Sequence, residues 1–368
     1  MPTFRILLAA AMLVLAGAVF AEIRIIPQDS GVKVRLRGIS AVSTNVAWAS
    51  GREGTVLRTI DGGKVWQAIK VPGAGELDFR DVEGFDADTA VVLSIGPGEA
   101  SRVYRTEDAG KTWKLSLQNQ DPRAFFDCMA FEGTNGWMLG DPVDGRFQIY
   151  ASSDAGKNWR LQGSGPGAAQ GEAAFAASGT CIAITGSGLI AVTGGSMARA
   201  HIKVSVDKVW SATSAAGLPS AESKGYFSVA VSASNVLLVG GDYKTETAPG
   251  IFAVVTEDGA HSLKQRLIEG AESREDIQIR TPVKQLVINS AEPITLRETP
   301  SPRGYRSGIA CAQQPLPCVA VGPSGVDSWS ENAWQPVSDV GYDAIDFAGN
   351  VGWLSGDAGR IARIEISE

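Results

Sequence analysis

The chain has 368 residues, of which 44% are hydrophobic and 20% are charged, and its formal net charge is −7. This acidic balance excludes the basic surface that proteins use to track nucleic-acid phosphates. With 43 glycines but only two histidines, the composition also excludes a metal centre built from several histidines.

The N-terminus has the pattern of a secretory signal peptide. Arg5 precedes an apolar run over residues 6–20, and the small residue Ala21 follows. The run is shorter than the roughly 20 apolar residues that span a bilayer. We therefore predict a signal peptide over residues 1–21 and a periplasmic or secreted chain with no membrane span. Residues 22–368 are expected to form a single all-β domain and a monomer.

A turn sequence of the form Asp-x-Gly-Lys-x-Trp then occurs three times. Its spacing is roughly 45 residues, the length of one four-stranded propeller blade. In such a turn the Asp accepts hydrogen bonds from following amides, the Gly supplies a positive φ and the Trp packs between blades. We interpret these residues as structural rather than catalytic or calcium-binding: Asp61, Gly63 and Trp66; Asp108, Gly110 and Trp113; Asp154, Gly156 and Trp159.

Repeat beginnings can be followed beyond the three intact turns. Degenerate turns at Asp207 and Glu257 mark two further repeats. The last repeat ends at its third strand, residues 361–366, while residues 23–27 precede the first repeat without a blade of their own. We predict a seven-bladed β-propeller in which the N-terminal strand completes the last blade, because this removes both exposed edges. The inner strands are predicted to begin at Arg37, Phe79, Phe125, Glu172, Tyr226, Tyr305 and Tyr342.

The connection between the fifth and sixth repeats is abnormally long. We predict a fourth strand at residues 262–268, followed by an insertion at about 269–303. An eighth blade is the competing interpretation, but a glycine-ended strand and an Asp turn are both missing from this stretch.

The cysteines and histidines have separate interpretations. Cys311 and Cys318 bracket a short turn, and in an oxidising compartment we predict that they form a disulfide. Cys128 and Cys181 are interpreted as buried small apolar residues. His201 and His261 are interpreted as ordinary surface or loop residues.

A candidate site follows from the propeller architecture, since ligands bind where loops meet the axial channel. Alignment of the inner strands places Arg37, Arg80, Arg306 and Asp343 at equivalent positions, where guanidinium groups can grip a carboxylate or phosphate. The alternative is that each arginine pairs with a nearby acid, such as Asp81 or Asp343. Loops expected on the same face contribute further candidates: Asp141, Asp144, Arg146, Glu172, Arg199, Asp242, Tyr243 and Lys244.

The three turns resemble the BNR/Asp-box repeats of sialidases and many other propellers. The arrangement from Gly51 to Gly63 is more similar to the photosystem II stability/assembly-factor-like group. The stretches 140–147, 241–244 and 304–307 resemble exported bacterial members of this YVTN/BNR-like group. The resemblance implies a propeller over the whole mature chain and leaves its activity open.

On this basis we expect an exported binding or scaffold protein, an assembly or stability factor that recognises a partner at the channel mouth. The ligand is a protein partner or an acidic small molecule or glycan. The alternative is an Asp-box glycosidase, in which Tyr243 or Tyr305 acts with Glu172 and Asp141. The early Arg-Ile-Pro signature of sialidases is replaced by Arg24-Ile25-Ile26-Pro27, which is one residue too long. An oxidoreductase is not expected, and neither is a cofactor, because a Gly-x-Gly-x-x-Gly turn opening a helix is absent.

Overall fold

The structure, a computed structural model, describes residues 21–163, 165–185, 188–204, 209–214, 220–232, 236–255, 296–298, 300–313, 316–330 and 332–367. Residues 1–20 of the predicted signal peptide (1–21) lie outside these ranges, as does His261. So do the degenerate turns at Asp207 and Glu257, the predicted strand at 262–268 and most of the predicted 269–303 insertion. Within them, no helix is long and apolar enough to cross a membrane.

The described chain is all-β, and its strands form seven antiparallel sheets. The N-terminal strand β1 (Glu22–Gln28) is taken up by the last of them. Each of the first three repeats forms one four-stranded sheet. Sheet 1 contains β2 (Leu36–Ala41), β3 (Ala47–Gly51), β4 (Thr55–Thr59) and β5 (Gln67–Lys70). Sheet 2 contains β6 (Asp78–Gly84), β7 (Ala90–Ile95), β8 (Arg102–Thr106) and β9 (Lys114–Gln118). Sheet 3 contains β10 (Phe126–Glu132), β11 (Asn135–Val143), β12 (Arg146–Ser152) and β13 (Arg160–Gln162).

The fourth repeat is less regular than we predicted. The strand β14 (Glu172–Ala173) was expected to begin an inner strand, but it is only two residues long and belongs to sheet 5. The chain then leaves that sheet and starts sheet 4 later, at β15. Sheet 4 contains β15 (Ile182–Thr185), β16 (Gly188–Val192), β18 (Ala200–Val204) and β19 (Trp210–Thr213). The two-residue strand β17 (Gly194–Gly195) pairs with β14.

The remaining repeats complete the molecule. Among the described residues sheet 5 has six strands, and β23 is its outer strand. It contains β14, β17, β20 (Ala221–Val231), β21 (Val236–Asp242), β22 (Ile251–Val255) and β23 (Leu296–Glu298). Sheet 6 contains β24 (Gly308–Cys311), β25 (Cys318–Gly322), β26 (Gly325–Ser330) and β27 (Ala333–Ser338). Sheet 7 contains β28 (Ala344–Ala348), β29 (Val351–Ser355), β30 (Ile361–Ser367) and β1. Short 3-10 turns span Gly98–Ala100 and Asp357–Gly359.

The core lies between the sheets. Strand β3 is buried at every position, whereas the outer strand β5 is mostly exposed, because neighbouring sheets cover both faces of an inner strand. Fully buried aromatic side chains, among them Trp48, Phe79 and Trp353, fill the spaces between sheets.

The first strands of consecutive sheets contact one another, and the first strand of sheet 7, β28, contacts β2 of sheet 1. Side chains of these strands accept hydrogen bonds from the next sheet's backbone. Asp81 Oδ2 accepts one from the Met129 amide at 2.7 Å, and Asp346 Oδ2 accepts one from the Ala41 amide at 2.7 Å. Buried backbone donors between the sheets are thereby satisfied.

Two disulfides are present, and all four cysteines are in them. Cys311 and Cys318 are joined across the β24–β25 hairpin. Cys128 is joined to Cys181, so the interpretation of these two as unlinked buried residues is wrong. The first strands of sheets 3 and 4 are neighbours, which brings the two Cα atoms to 5.8 Å, a normal distance for a disulfide.

Candidate functional site

The Asp turns are self-contained. Asp61 Oδ1 accepts a hydrogen bond from the Val65 amide at 3.1 Å, and the Thr59 hydroxyl both donates to Asp61 and accepts from the Gly63 amide. The Val65 amide is the main cause of a lowered Asp61 pKa. The carboxylate is therefore committed to its own turn. In the other two copies of the turn, the hydroxyls of Thr106 and Ser152 accept the same hydrogen bond from a glycine amide. The sequence did not lead us to predict this role.

The cavity lies elsewhere, among the first strands of all seven sheets. Its volume is about 440 Å³, and residues from every one of these strands line it, such as Ser40, Asp81 and Asp346. Ser178, Gly179 and Thr180, which join β14 to β15, also line it.

Residues 174–180, here called the crossing segment, reach across one end of this cavity. Arg80 of sheet 2 donates from Nη1 to the Ala176 carbonyl at 2.8 Å, and Arg37 of sheet 1 donates from Nη1 to the Ala177 carbonyl at 3.4 Å. The Ser178 hydroxyl of the same segment donates to the Ser307 carbonyl at 2.7 Å. One segment thus contacts sheets 1 and 2 and the start of sheet 6.

Arg37 is an incompletely paired cation. Its Nε atom is buried and has no hydrogen-bond partner among the described residues, and the bond from its Nη1 atom to the Ala177 carbonyl is long. Burial first, and then the positive charge of Arg80, lower the pKa of Arg37 to about 10. Asp343 does not neutralise it directly, because both Asp343 oxygens accept hydrogen bonds from Arg35 at 2.6 and 2.8 Å.

An aromatic group adjoins the two arginines. Phe175 of the crossing segment stacks on Phe227 with ring centroids 4.1 Å apart, and Tyr305 meets Phe227 edge-on at 4.8 Å. Tyr243 meets both phenylalanines edge-on at 6.1 Å, and 42% of Tyr243 is exposed. Burial raises the pKa of Tyr305, and the charge of nearby Arg37 opposes that shift.

Carboxylates hold the start of the crossing segment. Asp141 Oδ1 accepts a hydrogen bond from the Ala174 amide at 2.9 Å, and burial raises the pKa of Asp141 to about 6. Glu172 is buried against Arg199 and His201, with the His201 Nε2 atom 2.9 Å from Oε1. Burial tends to raise the pKa of Glu172, but hydrogen bonds from His201, Arg199 and Thr193 outweigh it and lower the pKa to about 2. His201 is therefore buried, not the surface or loop residue that was expected.

Other predicted residues do not join this group. Arg306 is fully buried and donates from Nε to Asp327 at 3.0 Å. Arg146 is exposed and donates to the Gly165 carbonyl. The Asp242 carboxylate accepts from the Lys244 amide of its own turn at 2.9 Å. Asp144 pairs with Arg123.

The set considered for a glycosidase is not assembled. Tyr305 is buried, and Glu172 is enclosed by Arg199, His201 and Thr193, so neither side chain faces an external substrate. Among the described residues, no group of three or more His, Cys, Asp or Glu side chains is placed to hold a metal ion.

Sequence reasoning missed Arg35 and the two carbonyl acceptors of the crossing segment. Arg35 precedes Arg37 by two residues, and in an extended chain such residues share a face, so this partner of Asp343 was within reach of prediction. The Ala176 and Ala177 carbonyls have no sequence signal, since every residue carries one.

Comparison with known proteins agrees with this architecture. The family model described as photosynthesis system II assembly factor YCF48 matches residues 27–196. A structure of YCF48 bound to D1 peptide has a TM-score of 0.57 and 14% identity, over 94% of this chain and 95% of that one. YCF48 from Cyanidioschyzon merolae has a TM-score of 0.57 and 17% identity, over 93% and 98% of the two chains.

A third similar structure is the WD40 β-propeller domain of Doa1, with a TM-score of 0.57 and 10% identity, over 93% of this chain and 97% of that one. No curated protein sequence matches the chain. At these identities the structural similarities show the fold alone. Together with the family match, they confirm the predicted resemblance to BNR-like β-propellers of the photosystem II assembly-factor group.

Proposed function

We propose that the protein is an exported seven-bladed β-propeller that binds an acidic segment of a protein partner, as an assembly or stability factor does. The binding face is the one that carries Arg37, Arg80 and the crossing segment. The observation that carries the proposal is the incomplete pairing of Arg37 beside a second arginine.

The closed ring is supported by contacts at its seam. The first strands of the seven sheets contact one another in series, and β28 contacts β2. Strand β1 pairs with β30 along its full length. Gln28 of β1 also bonds to the first Asp turn, where its amide donates to the Gly62 carbonyl and its oxygen accepts from Trp66. The N-terminal strand thus links sheet 7 to sheet 1.

The electrostatics favour an anionic ligand. The positive charge of Arg80 lowers the pKa of Arg37, so the two guanidinium groups repel. Arg80 Nε already donates to Asp78 Oδ2 at 3.0 Å, whereas a carboxylate placed between the two arginines would also relieve the repulsion felt by Arg37. Guanidinium–carboxylate hydrogen bonds are among the stronger polar contacts in proteins. Within the described ranges, the Nη2 atoms of Arg37 and Arg80 donate no hydrogen bond, so these donors remain for a ligand.

A protein segment is favoured over a small acid because an aromatic surface adjoins the arginines. The exposed Tyr243 rests on Phe175 and Phe227 and offers an apolar face with a polar tip. Tyrosines of this kind are enriched in protein interfaces. The peptide-bound YCF48 structure, whose fold is similar, supports the same class of ligand.

Export is supported by the sequence of residues 1–21 and by the disulfides. Disulfides persist in oxidising compartments and are rare in a reducing cytosol. Cys128–Cys181 and Cys311–Cys318 together account for every cysteine of the chain.

A defined peptide tests the binding proposal. We expect a fluorescent synthetic peptide in which Asp residues alternate with Phe and Ser to bind the wild type, and its Asn counterpart to bind far more weakly. The double variant Arg37→Ala/Arg80→Ala should lose affinity by about tenfold or more, as the loss of charged hydrogen bonds predicts. Fluorescence anisotropy measures both.

The matched control is Arg24→Ala/Arg160→Ala, which removes the same charge from exposed positions on β1 and β13. It should bind the Asp peptide as the wild type does. Equal binding of the Asn and Asp peptides, or full affinity in a normally melting Arg37→Ala/Arg80→Ala variant, would refute the proposed function.

A further inference from the structure

The Cys128–Cys181 disulfide lies at the end of the crossing segment. Cys181 follows Thr180 directly, and Cys128 lies on β10 of sheet 3. Both cysteines are buried. The C-terminal end of the crossing segment is thus bonded covalently to a sheet that the segment does not belong to.

The other end and the middle of the segment are held as well. The Ala174 amide donates to Asp141, and the Ser178 hydroxyl donates to the Ser307 carbonyl. Gly179 packs directly against the Asp81 carboxylate, since an added Cβ would be 2.3 Å from Oδ1. The carbonyls of Ala176 and Ala177 therefore have fixed positions.

These carbonyls are what the two arginines contact. An arginine side chain has many rotamers, and ordering one costs conformational entropy. Two like charges also tend to swing apart. A fixed carbonyl on Nη1 of each guanidinium opposes both effects, and it leaves the second terminal nitrogen of each group for a ligand.

We infer that the crossing segment, clamped by the Cys128–Cys181 disulfide, positions Arg37 and Arg80 for the acidic ligand. This inference rests on the proposed function and adds a positioning role for the disulfide and for the backbone of residues 174–180. A disulfide that only staples the fold would stabilise the whole chain and leave the two guanidinium groups unaffected.

The second disulfide provides the matched control. Cys128→Ala/Cys181→Ala is compared with Cys311→Ala/Cys318→Ala, and the rate of phenylglyoxal modification of each arginine is followed by peptide mass spectrometry. We expect Arg37 and Arg80 to react several times faster in the first variant only, while Arg24 and Arg160 keep their wild-type rates.

Affinity for the Asp peptide provides the second measurement. Cys128→Ala/Cys181→Ala should weaken binding about fivefold, and the same change in an Arg37→Ala/Arg80→Ala background should have no further effect. Ser178→Ala removes the hydrogen bond to Ser307 and keeps the disulfide. Like the cysteine variant, it should raise the modification rate of Arg37 and Arg80 and weaken peptide binding. This variant serves if the cysteine variant does not fold.

The outcomes separate the two proposals. Unchanged modification of Arg37 and Arg80, or an equal rise in the Cys311→Ala/Cys318→Ala control, overturns the positioning role whatever the binding result. A selective rise in modification together with no peptide binding by the wild type supports the positioning role and refutes the proposed function.

Discussion

Asp346, a half-buried residue that lines the cavity, shows how a single carboxyl group couples stability to pH. Its Oδ2 atom accepts a hydrogen bond from the Ala41 amide of sheet 1, and its Oδ1 atom accepts one from the Phe347 amide. Burial raises its pKa to about 6, although both hydrogen bonds oppose the shift. A raised pKa means that the folded chain binds this proton more tightly than the unfolded chain does. The resulting stability is complete below about pH 4 and is lost as the pH rises through about 6.

The substitution Asp346→Asn should remove this dependence. The free energy of unfolding of the wild type, minus that of the variant, should fall by about 2 kcal/mol between about pH 4 and pH 7. Urea unfolding at a series of pH values measures the difference, and Asp29→Asn at an exposed position controls for net charge. A difference that stays constant or rises with pH would contradict the assignment.

At the scale of the element, the Asp turn makes different demands on adjacent positions. Ala109 and Gly110 both have a positive φ, of 62° and 78°. An added Cβ on Gly110 would lie 2.5 Å from Ile69 Cγ2 of sheet 1, so this glycine is required by packing as well as by backbone conformation. Ala109 is exempt from that packing limit, and the equivalent position in the first turn is Gly62.

We therefore expect Gly110 to be intolerant of substitution and Ala109 to tolerate it. Gly110→Ala should destabilise the protein by about 2 kcal/mol or more, because left-handed strain and a steric clash add. Ala109→Gly should change stability by less than about 1 kcal/mol, since relief of strain and loss of backbone entropy nearly cancel. Thermal and urea unfolding of both variants give the comparison, and a Gly110→Ala variant as stable as Ala109→Gly would disprove it.

The same contrast explains what the sequence could predict. The Asp turns are local, since Asp61, Gly63 and the Thr59 hydroxyl lie within a few residues of each other, and their positions agree with the prediction. The crossing segment depends on contacts with sheets 1, 2 and 6, and its small residues carry no periodic pattern. The alanine-rich start of this segment therefore resembled an inner strand. The Cys128–Cys181 pairing was missed because these cysteines lie 53 residues apart in different repeats, whereas Cys311 and Cys318 flank one short turn and their pairing was predicted.

For the whole molecule, stability depends on the place where β1 joins sheet 7 to sheet 1, here called the seam. Strand β1 pairs with β30 over all seven of its residues, from Glu22 with Ser367 to Gln28 with Ile361. Ile23 and Ile25 pack against the buried cluster that contains Ile364. Without β1, sheet 7 would expose an unpaired edge, and the first Asp turn would lose Gln28 as its partner.

A chain that starts at Asp29 instead of Glu22 should therefore be less stable as a whole. We do not expect sheet 7 to unfold separately from the other sheets. Because the proposed ring gives each sheet two neighbours, weakening one seam should lower the midpoint of a single cooperative transition and promote association through the β30 edge. Calorimetry and light scattering measure the two effects.

Glu22→Ser/Arg24→Ser, which alters only exposed side chains and keeps the pairing, serves as the control and should behave as the wild type. Gln28→Ala should lie between them, with a loss of about 1 to 2 kcal/mol for two hydrogen bonds to the first Asp turn. A shortened chain that stays monomeric and melts at the wild-type temperature would show that β1 is an appendage and that the ring is closed by other contacts.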